Sequence, residues 1–127
     1  MNIARNIETA AQLFPDKTAV LFEEKEITYS ELNTAANRLA RAMAAHGIQK
    51  GDRVALYLPN IPEFAVCYYG TLKVGAIAVS VNPMLKAYEL EYILSDCKAV
   101  LIFTTGDLLE NVQGGRLTFM RNQIGDP

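Results

Sequence analysis

The chain has 127 residues, half of them apolar and a fifth charged, with a formal net charge of −2. This length supports one domain with a hydrophobic core, and these proportions exclude an intrinsically disordered chain. The near-neutral balance excludes the basic footprint of a nucleic-acid binder and a polybasic membrane anchor.

The first predicted element is a helix: Ile3, Ile7, Ala10 and Phe14 recur at helical spacing on one face, and Pro15-Asp16-Lys17 stops it. Two short apolar runs follow, Thr18–Phe22 and Glu26–Thr28, separated by the charged turn Glu23-Glu24-Lys25, which reads as a small antiparallel hairpin. Thr28 and Glu31 then have the T-x-x-E spacing of a capping box, in which hydroxyl and carboxylate each satisfy an orphan N–H of the first turn. The helix they open carries Leu32, Ala36, Leu39 and Met43 as its buried stripe and ends at Gly47, where a left-handed residue is expected.

Arg53–Leu58 is mostly apolar without alternation, the pattern of a parallel strand covered on both faces. Asn60 is positioned to cap a third helix, with Pro62 tolerated in its first turn and Glu63 three residues on. Its expected inner stripe is Phe64, Tyr68, Thr71 and Leu72, and Gly75 closes it. Ile77–Val81 is a second strand, broken by Asn82-Pro83; Leu90, Ile93 and Leu94 mark a helix over Ala87–Ser95; Val100–Phe103 is a third strand. The predicted fold class is therefore α/β: an initial helix, a hairpin, then a βαβαβ portion of a parallel sheet flanked by helices, with right-handed crossovers. Periodicity stops after about Val112, so the chain divides into residues 1–112 and a tail, Gln113–Pro127, expected to be poorly ordered or to pack without a regular element.

Residues that carry chemistry are few. His46, the only histidine, lies in the last turn of the second helix, where a solvated imidazole suits the helix dipole, and no partner is spaced to make it a base. The cysteines, Cys67 and Cys97, fit no CxxC pattern and sit among apolar neighbours, as buried free thiols in a reducing compartment do. Met1–Arg5 lacks the apolar core of a secretion signal, and no apolar run approaches the roughly 18 residues of a membrane span, so a cytoplasmic protein is expected. Gly70 and Gly75 have the spacing of the two P-loop glycines, but Ala76-Ile77 stands where Lys-Ser/Thr is required; helix packing and C-capping account for both. Thr104-Thr105-Gly106-Asp107 follows a strand and could cradle a phosphate, yet strand-to-helix turns use these residues for backbone reasons and no lysine follows. No residue is assigned a catalytic, cofactor-binding or metal-binding role.

The stretch Ile27-Thr28-Tyr29-Ser30-Glu31-Leu32 resembles the early TYxEL motif of the AMP-forming acyl-CoA synthetases. The resemblance continues in order through Gly51–Leu56, Leu58-Pro59-Asn60, Leu72–Ala76 and Val81-Asn82-Pro83, and covers roughly residues 3 to 112. The VNP form looks like that of the fatty-acyl and related acid–CoA ligases. The resemblance implies a two-step reaction, in which ATP and magnesium activate a carboxylate as an acyl-adenylate and the acyl group then passes to CoA. It also implies that the family's phosphate loop with its lysine, its adenine, ribose and hinge motifs, and its small carboxy-terminal domain lie beyond the matching residues, which are mainly scaffold. The expected function is that of an inactive piece of such a ligase, needing no cofactor alone, prone to self-association or to pairing with the rest of a synthetase. The alternatives are a non-catalytic interaction module that pairs with a full-length synthetase, and a small nucleotide-binding domain built on Thr104–Asp107.

Overall fold

The computed structural model describes residues 4–112 and 117–120. Helix α1 spans Ala4–Leu13, and the hairpin strands β1 (Thr18–Phe22) and β2 (Lys25–Thr28) follow. Helix α2 (Tyr29–Ala45) leads into strand β3 (Arg53–Tyr57), helix α3 (Pro62–Lys73), strand β4 (Ile77–Ser80), helix α4 (Ala87–Cys97) and strand β5 (Leu101–Thr104). A single 3₁₀ turn at Leu109–Asn111 precedes strand β6 (Leu117–Met120). The expected α/β order is the observed one.

Local chemistry explains most of these boundaries. The Thr28 hydroxyl accepts from the Glu31 N–H at 3.1 Å, and the Glu31 carboxylate accepts from the Thr28 N–H at 2.9 Å, completing the capping box. That hydrogen bond to its charged form holds the Glu31 carboxyl below its ordinary value. The C-terminal end of α2 closes with Gly47 at φ +89°, Ile48 N–H donating to Met43 O and Gly47 N–H to Ala44 O, the paired bonds of a Schellman cap. Gly75, at φ +85°, closes α3 the same way, with Ala76 bonded to Thr71 and Gly75 to Leu72.

Three expectations need correction. Asn60 does not cap α3; the N-cap is Ile61, with no side-chain cap bond. Pro62 forces the residue before it into the extended region, and Ile61 sits at φ −116°, ψ 165°, so the helix starts one residue later than the Asn60 pattern requires. The buried face of α3 is Val66, Cys67, Gly70 and Thr71; of the expected stripe Thr71 is buried, whereas Phe64, Tyr68 and Leu72 are only partly so. No residue of α3 is fully exposed, because the helix packs on both α2 and the sheet, and a helix apolar all round carries little periodic signal. Finally, the tail contains a regular element: β6 pairs in parallel with β5, Leu101 opposite Leu117 through Thr104 opposite Met120. Its pairing comes from a neighbouring strand, not from a pattern of its own. The rest of the segment 113–127 lies outside the described residues.

Strands β4-β3-β5-β6 form one parallel sheet in that order. Val54, Leu56, Leu101 and Phe103 face α2 and α3; Ala55, Tyr57 and Ile102 face α4, where Leu90 and Leu94 meet them. Both faces of β3 and β5 are covered, as their unalternating sequences require.

Candidate functional site

Because the sheet strands are parallel, their carboxyl ends share one rim. The chain runs from β3 outward to β4 and then returns to β5 on the other side of β3, which puts the topological switch between β3 and β5. Ligands of open α/β sheets bind at such a point, outside the carboxyl ends of the strands. The candidate site is therefore the rim built from Leu58-Pro59-Asn60, Val81-Asn82-Pro83 and Thr104–Asp107.

Two of these turns flank a shallow cleft of about 400 Å³, lined by Leu58, Asn60, Phe64, Ser80, Val81, Asn82 and Pro83. The Asn82 side-chain oxygen accepts from the Met84 N–H at 2.9 Å, and Leu85 N–H returns to the Asn82 carbonyl, so the VNP segment is locked as a turn. Beneath it, Tyr57 is wholly buried at the end of β3. Its hydroxyl donates to the Leu85 carbonyl and accepts from Asn111 Nδ2 at 3.0 Å. This bond set ties β3, the turn before α4 and the 3₁₀ turn together. Sequence reasoning did not single out Tyr57; the available signal was a tyrosine ending a strand covered on both faces, whose hydroxyl must find a partner.

Thr104 and Thr105 are buried, and neither hydroxyl has a hydrogen-bond partner among the described residues. Within that part of the rim Thr104 and Thr105 are under cover, while Gly106 and Asp107 are exposed. A phosphate needs exposed donors and cationic side chains, and among the described residues lining the cleft none is cationic. The rim as described thus does not fit the polyphosphate of ATP, and no group of three or more His, Cys, Asp or Glu among the described residues could hold a metal ion.

The other singled-out residues fall elsewhere. His46 is the exposed C-cap of α2. Cys67 is buried in α3; burial pushes its thiol well up, and the negative charge of Glu63, one turn earlier, pushes the same way. Cys97 is free and half-buried at the end of α4, more open than expected. Gly70 packs against Leu39, and Gly75 caps α3. Gly51 N–H donates to Gly75 O at 3.0 Å, so the Gly51–Leu56 and Leu72–Ala76 motifs meet at the amino ends of β3 and β4, opposite the rim.

A family model described as AMP-binding enzyme matches residues 7–122. The chain belongs to that family. The match runs past Val112, so the boundary expected there lies inside the family region. A long-chain-fatty-acid–CoA ligase of Bacillus subtilis is 46% identical over 100 residues, covering 79% of this chain and 18% of that protein. A crotonobetaine/carnitine–CoA ligase of Citrobacter koseri is 40% identical over 111 residues, 84% of this chain and 22% of its own. The solved N-terminal domain of FACL13 from Mycobacterium tuberculosis superposes with a TM-score of 0.86 at 31% identity, over 98% of this chain and 35% of that one. The chain thus spans about a fifth of the curated relatives it matches. No helix among the described residues is long and apolar enough to cross a membrane.

Proposed function

We propose that the chain is the amino-terminal segment of an AMP-forming ligase that joins a carboxylic acid, of the fatty or a related class, to CoA, and that alone it catalyses neither step. Its part is to supply the first parallel strands and the layer of α2 and α3 on which the remainder of a large domain is built. The observation that carries this is the composition of the carboxyl-end rim. Acyl-adenylate formation brings a carboxylate against a phosphate, and the barrier falls only where donors and cations are already aimed at the developing charge. Here no cation is among the described residues lining the cleft, and Thr104 and Thr105 are under cover. Likeness to acid–CoA ligases of several substrate classes supports the family chemistry as that of the whole protein.

The test is acid-dependent exchange of pyrophosphate into ATP with magnesium, across short-, medium- and long-chain acids, and CoA thioester formation with the same panel. The expected result for this chain is background in both. Exchange that disappears in Thr105→Ala would overturn the proposal and establish a small nucleotide-binding enzyme at Thr104–Asp107.

A further inference from the structure

Helix α4 presents two unlike faces. Leu90 and Leu94 are fully buried against the sheet. On the opposite side Tyr88 is 87% and Tyr92 73% exposed, at i and i+4 on one stripe, with Met84 81% exposed in the preceding turn. Tyr88, Glu91, Tyr92, Ser95 and Asp96 line a common hollow. Tyrosine and methionine are the residue types enriched where protein surfaces are covered by other protein. The outward side of α2 differs: its exposed residues include Ser30, Glu31, Thr34, Arg38 and Arg41, a solvated surface.

We propose that the Tyr88–Tyr92 face of α4 is a docking surface for the remaining polypeptide of the ligase large domain, which meets it with apolar and basic side chains. The inference rests on the proposed function above. Two observations select the occupant. This fold accounts for 35% of the solved N-terminal domain that it superposes on, so most of such a domain must pack against a unit of this kind, and α4 carries the two most exposed aromatic side chains among the described residues. The stripe is also acidic, with Glu91 and Asp96 beside the tyrosines and Glu89 exposed next to it. A second copy meeting it about a two-fold axis would set carboxylates against carboxylates. A partner with basic residues is favoured instead.

The experiment is a chimera in which this chain replaces the matched segment of the 46%-identical Bacillus subtilis ligase, compared with this chain alone. Tyr88→Glu and Tyr92→Glu are made in both, with Tyr88→Ser and Tyr92→Ser as milder changes and Arg38→Glu as a control on α2. Since the tyrosines are exposed in the isolated chain, its Tm should not move, whereas the Tm of the chimera should fall by several degrees with either glutamate and less with serine, and Arg38→Glu should leave it in place. An active, folded chimera whose Tm ignores the tyrosine substitutions overturns the docking inference and leaves the proposed function standing. A chimera that neither folds nor ligates removes both. A dimer of the isolated chain that dissolves on Tyr88→Glu makes a second copy the occupant, which also overturns the inference.

Discussion

Gly70 lies so close to Leu39 that a Cβ built on it would be 3.0 Å from Leu39 Cδ2 and 3.2 Å from Leu39 Cβ. The contact sets the separation of α2 and α3, the most extensively packed pair of helices in the fold. In a helix interior, alanine is ordinarily preferred to glycine by roughly 0.5–1 kcal/mol. Here the methyl must displace a buried leucine, and overpacking typically costs about 1–3 kcal/mol. Gly70→Ala is therefore expected to lower stability. Leu39→Ala should be destabilising alone, but Gly70→Ala in that background should be neutral or favourable. Denaturant midpoints for the four proteins of the cycle measure this, and simple additivity would show that the two residues do not constrain one another.

The Thr28–Glu31 pair gives a pH-dependent prediction. Thr28→Ala removes the cap of α2 and should cost about 0.5–2 kcal/mol, seen as a lower midpoint with unchanged slope. Glu31 is an acid whose folded-state value is depressed, so its contribution is present above its ordinary value near 4.5 and lost as pH falls through the lowered one. Glu31→Gln keeps an acceptor but removes that titration. The stability difference between the parent chain and Glu31→Gln should therefore shrink as pH drops below about 4.5. A difference that stays constant down to acid unfolding would refute the assignment.

These two sites also show what was legible in the sequence. The capping box, the stripe Leu32–Ala36–Leu39–Met43 and the left-handed glycines at 47 and 75 depend on residues within a turn or two, and all are present. Tertiary environment decided the rest. Pro62 overrode the Asn60 cap, two-sided packing erased the period of α3, and β6 exists through its pairing with β5. The candidate rim was legible only as motifs. That Gly51 and Gly75 meet at one end of the sheet, while Asn60 and Asn82 lie at the other, required the parallel register.

Lys98 was not singled out, since α4 has no glycine after it, yet it takes the left-handed conformation that Gly47 and Gly75 take at the ends of α2 and α3. It sits at φ 57°, ψ 45°, with Ala99 N–H bonded back to Leu94 O. A side chain in that region costs on the order of 1–2 kcal/mol, partly offset when glycine is introduced by the entropy of the unfolded chain. Lys98→Gly should raise stability by roughly 0.5–1 kcal/mol, as a compatible glycine does at a C′ position. A lowered Tm would mean that the lysine side chain makes a contribution that outweighs its backbone strain.

The last prediction concerns β4, which ends the sheet order and pairs only with β3 among the described strands. Ile77 N–H donates to Asp52 O and Val81 N–H to Leu56 O, so by strand alternation the amides of Ala78 and Ser80 point away from β3. Ile77 is 47% exposed beside them. An edge with outward amides and an apolar flank is a template for pairing with another chain, and natural edges are commonly blunted with lysine or proline. The isolated chain is therefore expected to self-associate as concentration rises, through β4 and not through the acidic face of α4. Ile77→Lys should suppress this by setting charge against charge across any such pair, and Ser80→Pro by deleting an outward amide. Both positions are exposed, so neither change should unfold the monomer. Light scattering across a concentration series separates the cases. A parent chain that stays monomeric at high concentration would show that β4 is not an active edge, and association that survives both substitutions would place it on another surface.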